Sequence, residues 1–188
     1  MNKKIKLNRN TYDFPMPITL LGTVVNSKIN YMALAWITRI NKKPPLIGIS
    51  VDKPHSSHKG ILENKTFSIN YPNVDLLKET DYCGIYSAMK IDKSQMFETF
   101  NGELKNAPMI RNCTLNLECT VINLIELPIN TFFIAEIINA YSEDKYMDNG
   151  KLNIKKMNPL LLTMPDNKYW NVGENVGLAW KDGKQLIT

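Results

Sequence analysis

Apolar runs in the first half of the chain are short, and polar or proline-rich knots separate them. Pro17–Val25 reads as a first strand, followed by the turn-like Asn26-Ser27-Lys28-Ile29-Asn30. Tyr31–Arg39 reads as a second, and the two prolines of Asn41-Lys42-Lys43-Pro44-Pro45 rule out regular pairing beyond it. Leu46–Val51 is a third strand, rich in Ile and Val and therefore expected to be buried. His58–Lys65 predicts a short helix with Ile61 and Leu62 on its apolar side and Ser56 or Ser57 as N-cap. Thr66–Tyr71 is the next strand, and Val74–Glu79 and Ser94–Phe100 predict two more short helices. After Pro108 the period changes: Leu115, Leu117, Cys119 and Val121 alternate with polar residues, the signature of a half-buried strand. The turn Leu127-Pro128-Ile129-Asn130 leads into the last long strand, Thr131–Tyr141.

Many strands with few short helices, and no long helices between them, predict a mainly β chain folded as a closed or partly closed antiparallel barrel. A length of 188 residues suits one domain, with a barrel core over about 14–178 and short tails. No apolar run is long enough to span a membrane. The basic start Met-Asn-Lys-Lys-Ile-Lys lacks a following apolar region, so the expectation is a cytoplasmic protein without a secretory signal. The net charge of +5 comes from scattered lysines rather than a basic stripe, which favours a small anionic ligand over nucleic acid.

Chemistry-bearing residues are few. Three cysteines without a CxxC pair make a disulfide framework or metal site a poor reading. On one strand Cys113 and Cys119 would stand about 20 Å apart, so both read as small buried hydrophobes. His55 and His58 lack a nearby carboxylate and make a weak metal pair. Nothing local supports a Cys83–His dyad for acyl transfer. No phosphate-binding glycine loop and no general acid–base pair is recognisable, so an enzyme of this sequence would rely on a bound cofactor.

Two stretches stand out. Ser56-Ser57-His58-Lys59 lies where a strand feeds a helix, and a helix start offers free N–H groups and partial positive charge. With serine hydroxyls and Lys59 it suits a phosphate monoester; a capped surface helix fits the same residues. In Asn30–Trp36 the residues Met32, Ala33, Leu34 and Ala35 are small or unbranched beside Trp36. They would let a planar ligand approach the backbone, or form an ordinary core strand around a buried Trp.

Five stretches in register resemble the flavin reductase-like family of FMN-binding split barrels, and its flavoredoxin branch in particular. They are FPMPITLLGT (14–23), NYMALAWITRINKKPPLIGISV (30–51), HSSHKGILENKTFSIN (55–70), DYCGIYSAMKIDKS (81–94) and YWNVGENVG (169–177). The resemblance implies an antiparallel, Greek-key-like split β-barrel that binds FMN without a covalent bond, as a homodimer with the flavin near the interface. It implies that Ser56, Ser57, His58 and Lys59 contact the flavin phosphate. It implies that Asn30, Met32, Ala33, Leu34, Ala35 and Trp36 line the ring, and Ser50 is a further candidate for the cofactor site. Lys93 is a candidate for the phosphate or ribityl side, Ser87 belongs to the cofactor site in the segment leading to it, and Cys83 has a packing or flavin-side place, with a redox thiol as the alternative. The implied activity passes electrons from NAD(P)H or a reduced partner protein through FMN to an acceptor. An electron carrier without nicotinamide turnover, and a split barrel that has lost its flavin, are the alternatives.

Overall fold

A computed structural model describes residues 3–88 and 90–186. Seven strands make one antiparallel sheet: β1 (Thr19–Val25), β2 (Lys28–Leu34), β3 (Ile37–Asn41), β4 (Leu46–Asp52), β5 (Thr66–Tyr71), β6 (Leu115–Glu126) and β7 (Asn130–Tyr141). Their order across the sheet is β2-β1-β5-β6-β7-β4-β3. Strands β2 and β3 are neighbours in sequence yet occupy the two opposite edges. Only Ala35 and Trp36 lie between them, so the sheet curls until its edges meet at that link, and no ladder joins them among the described residues. The result is the split barrel the sequence implies. The expected single run Tyr31–Arg39 is corrected to two strands on either side of this seam.

Period-two alternation gives the sheet two apolar faces. Leu21, Met32, Leu34, Ile49, Phe67, Ile69, Cys119 and Phe133 fill the barrel. Their neighbours Leu20 and Tyr31 point the other way and pack with Cys83, Ile110 and Cys113 in an outer core. Cys113 precedes β6 rather than lying on it, and all three cysteines are buried and free.

Helix α1 (Ser56–Asn64) closes one end of the barrel. Gly60 permits this, since a Cβ there would stand 2.7 Å from the Val24 carbonyl oxygen. The Asn64 amide donates to the carbonyls of Val24 (2.7 Å) and Gly60 (2.8 Å), tying the helix end to β1. The N-cap is His55, without a side-chain bond, so both serines lie inside the first turn rather than capping it. The helix expected at Val74–Glu79 is a short 3-10 turn, Val74–Leu76, running into α2 (Leu77–Ile85). No helix forms at Ser94–Phe100: Asp92 Oδ1 accepts from the Ser94 amide at 2.9 Å, and Thr99–Phe100 pairs with Met109–Ile110. Among the described residues no helix is long and apolar enough to cross a membrane.

Candidate functional site

Edge strand β2 has a ladder partner on one side only, so alternate residues turn backbone N–H and C=O groups away from β1. A groove runs beside that free edge. The start of α1 bounds it at the barrel end, and the end of α2 with residues 86–88 and 90–93 covers it. It comprises a tight part of about 90 Å³ and a wider part of about 390 Å³, which share Asn30, Ser56, Ala88 and Lys93. Ser57, Met32, Cys83, Tyr86 and Ser87 line the tight part.

The electrostatics of this groove are unusual. Lys93 is only 4% exposed. Its ammonium donates to the Tyr86 carbonyl at 2.9 Å, and among the described residues no carboxylate pairs with it. Burial lowers its pKa, with the nearby Cys83 acting against that shift. A buried ammonium without a countercharge is costly unless an anion joins it. Across the groove, Asn30 donates its amide N–H to Ser57 Oγ at 2.8 Å, while its Oδ1 is buried without a partner. In the first turn of α1 the His58 amide already donates to the His55 carbonyl at 3.0 Å, which leaves the Ser56 and Ser57 amides as the ones with no carbonyl one turn back, and that turn holds no acidic residue. The groove therefore presents a cation, helix-start amides and two serine hydroxyls at one end, and a free amide oxygen beside them. That set suits a phosphate joined to a hydroxylated chain.

A second cavity of about 440 Å³ lies at the other end of β2. Ala35, Trp36 and Ser50 line it, with Tyr12, Asp13 and Phe132. Between Asn30 and Leu34 the strand covers about 13 Å. An elongated ligand with its anion at Lys93 would thus lie along the strand edge with its far end near Trp36. Trp36 is partly exposed rather than a core residue.

Not every expected residue faces these spaces. Leu34 fills the barrel. Ala33 lies on the opposite face, against Gly84 of α2, where an added Cβ would come into ordinary contact with Ala33 Cβ at 3.4 Å. His58 turns inward: its Nε2 meets Thr131 Oγ1 at 2.8 Å and its ring tilts against Phe133. Burial lowers its pKa, so it brings no charge to the helix start. Lys59 is exposed and engages Asn26 Oδ1 at 3.2 Å and Glu63 at 3.6 Å. Lys93, not Lys59, is the cation inside the groove. Sequence reasoning missed Lys28, Tyr12 and Asp13, which lie outside the quoted motif stretches, and Lys90, which lies inside the 81–94 stretch but was not singled out there. Cys83 lines the groove with its Sγ 3.8 Å from Met96 Sδ, and burial pushes its thiol up to about 11.

Residues 11–164 match the family model described as the flavin reductase like domain. The crystal structure of flavoredoxin from Methanosarcina acetivorans is similar with a TM-score of 0.97 and 55% identity, over 99% of this chain and 100% of that one. Flavoredoxin of Desulfovibrio vulgaris (Miyazaki F) gives a TM-score of 0.88 at 30% identity, over 97% and 100% of the two chains. An uncharacterized protein of Archaeoglobus fulgidus is 29% identical over 150 residues, 79% of this chain and 84% of that one. The split sheet, the groove along its free edge and a match across most of the chain agree: the protein belongs to the flavin reductase-like family.

Proposed function

We propose that the chain binds FMN along the β2 edge and acts as an oxidoreductase, taking electrons from NAD(P)H or a reduced partner protein and passing them to an acceptor. The observation that carries this reading is the buried Lys93 ammonium, which faces the start of α1 without a carboxylate. Lys93, Ser56, Ser57, Ser87 and the first amides of α1 hold the phosphate. Asn30 Oδ1 accepts from a ribityl hydroxyl. The strand edge from Met32 to Ala35 and the Trp36 side chain orient the ring. When bound, the flavin supplies the hydride and electron chemistry, and the protein supplies position and electrostatics. Backbone N–H groups on the open edge of β2 stabilise negative charge on a ring lying against them. The packing around Met32 and Leu34 excludes water from one side of it.

The partner copy in this proposal is a second identical chain. Ile122, Ile125, Leu127 and Ile129 are each exposed on the end of β6 or in the β6–β7 turn, and Val176 and Trp180 are exposed in the tail. Such uncovered apolar groups mark association surfaces, and sedimentation of the purified protein reads the stoichiometry directly.

Flavin retention is the test. Bound FMN after desalting, with riboflavin held at least tenfold more weakly, supports the phosphate assignment; each tenfold corresponds to about 1.4 kcal/mol. Equal retention of FMN and riboflavin would sink it. Steady-state oxidation of NADH and NADPH with FMN present then separates the enzyme from the carrier. No flavin retention and no nicotinamide oxidation would favour a barrel that has abandoned its cofactor.

A further inference from the structure

Helix α1 closes one end of the barrel, and a cavity of about 490 Å³ opens at the other. Ile37 of β3, Ile47 of β4, Leu115 and Leu117 of β6 and Ile137 of β7 line it. We propose that this barrel mouth binds a small apolar carboxylate, a bicyclic aromatic or medium-chain acid, with its body among these side chains and its anion at Arg39. The site is separate from the groove along β2 and stands whether or not that groove holds a flavin.

Three observations carry this. First, the core is unfinished at the mouth. Ile47 and Leu117 are buried in it, whereas Ile37, Tyr71, Leu115 and Ile137 pack against it and stay only partly buried. At the α1 end, by contrast, Ile61 is fully buried. The space left over has the volume and the apolar lining of a small-molecule site.

Second, the mouth has a cation without a countercharge. Alternation along β3 puts Arg39 on the face of Ile37, and it stands opposite Ile47 in the ladder. Its Nε donates to the Asn41 carbonyl at 2.7 Å, and Nη2 reaches the Lys42 carbonyl at 3.5 Å. Among the described residues no carboxylate pairs with Arg39, and its Nη1 protons have no acceptor. A guanidinium fork held by backbone on one side and open on the other is built to receive a carboxylate.

Third, Tyr71 of β5 brings an O–H into the same wall, and among the described residues that hydroxyl has no hydrogen-bond partner. Burial raises its pKa, with Cys119 adding to the rise, so the phenol keeps its proton and stays a donor. An apolar wall with one cation and one free hydroxyl selects an apolar molecule with an anionic end. The mouth meets the cavity near Trp36 along Pro17, Ile37 and Thr38. Its occupant therefore lies beside that space rather than in it.

The experiment is calorimetric titration with naphthoate and with its uncharged counterpart naphthamide, with and without added FMN. The proteins are the native chain, Arg39→Gln and Ile137→Trp. The native chain should take up one naphthoate per chain and bind naphthamide about tenfold or more weakly. FMN should shift naphthoate affinity by less than about threefold. Arg39→Gln should weaken naphthoate until the two probes differ by less than about threefold, and Ile137→Trp, which fills the cavity, should weaken both by about tenfold. Arg39 is exposed, so Arg39→Gln keeps the fold and decides the matter even where Ile137→Trp does not fold. Absence of saturable uptake overturns the proposal, because the mouth is then closed in solution. Equal affinity for the two probes, or no change in Arg39→Gln, overturns it too: the arginine would then only guard an edge strand against pairing. Competition between naphthoate and FMN would place the probe in the cavity near Trp36 and overturn it as well. Failure of the flavin reading looks different, since FMN would not be retained while naphthoate still bound.

Discussion

Two buried charges in this barrel are handled in opposite ways. Glu118, on the central strand β6, is fully buried, and its carboxylate collects four hydrogen bonds. The amides of Glu103 and Leu104 donate at 3.1 and 2.9 Å, Asn139 Nδ2 at 2.7 Å and the Tyr141 hydroxyl at 2.8 Å. Burial pushes its pKa up, but these bonds outweigh it and hold the carboxyl below its ordinary range. Lys93 is nearly as buried and has one backbone carbonyl. The first charge is satisfied within the chain and staples the 102–104 loop to the sheet. The second meets no carboxylate among the described residues and borders the groove. A buried charge completed by its own fold speaks of structure; one left incomplete beside a cavity speaks of a ligand.

Mutation of each charge should expose that difference, and the larger effect is at Glu118. Glu118→Ala strands two amides, Asn139 and Tyr141, and should cost roughly 3 kcal/mol or more in urea unfolding. Its pH dependence has a definite sign. The folded carboxyl titrates below its unfolded value of 4.5, so its stabilising contribution is complete above that pH. It is lost as pH falls through the folded value, and Glu118→Gln should flatten this acid limb. An unchanged acid limb would mean the four bonds are not holding a carboxylate. Lys93→Met should do the reverse. The flavin-free protein should be as stable as the native chain or more so, because a desolvated cation is gone. FMN affinity should fall by about 1.5–3 kcal/mol while riboflavin is untouched. Destabilisation of the flavin-free protein without a change in FMN affinity would erase the contrast with Glu118. Asn30→Ala sharpens it further. Its free oxygen is assigned to the ribityl chain that both ligands share, so FMN and riboflavin should weaken together by about 1 kcal/mol.

The strands were legible because they are long and alternate. Thr66–Tyr71 and the run through Leu115–Val121 carry the period-two pattern of faces that the barrel and outer core require. Helix α2 was displaced along the chain in the sequence reading because it buries only Thr80 and Cys83, too thin a stripe for periodicity to register. Ser94–Phe100 has helical spacing, yet pairing of Thr99–Phe100 with residues ten positions on prevails, a long-range choice that local pattern does not contain. The seam at Ala35–Trp36 is equally silent, since the chain reads as one apolar run across a point where the sheet changes edge. At the site, the serines and Asn30 were marked by their neighbours. The roles of Lys59 and Lys93 were not separable, because nothing in a sequence says which of two lysines a loop will bury. The inward turn of His58 depends on Thr131, on a strand far along the chain.

One group could still satisfy Lys93 from within the chain, and the smallest expected effect tests it. Cys83 lines the same groove, and its thiolate would be the countercharge here assigned to phosphate. Burial pushes the thiol up to about 11 despite the opposing pull of Lys93, while Glu79 adds to the rise. It therefore stays protonated at neutral pH. In the window from its unfolded value of 9 up to about 11, the fold holds a proton that the unfolded chain has released. Its contribution to stability accordingly declines as pH rises through that window. Iodoacetamide at pH 8 should leave Cys83 unmodified in the native protein, read by mass spectrometry of its peptide. On the proposed function, Cys83→Ala should retain electron transfer to within about twofold, since its protonated side chain lines the groove beside Met96. Rapid alkylation of Cys83, suppressed by Lys93→Met, would show a thiolate–ammonium pair inside the groove. Lys93 would then be as self-sufficient as Glu118, and the case for an anionic ligand would rest on the helix start and its serines alone.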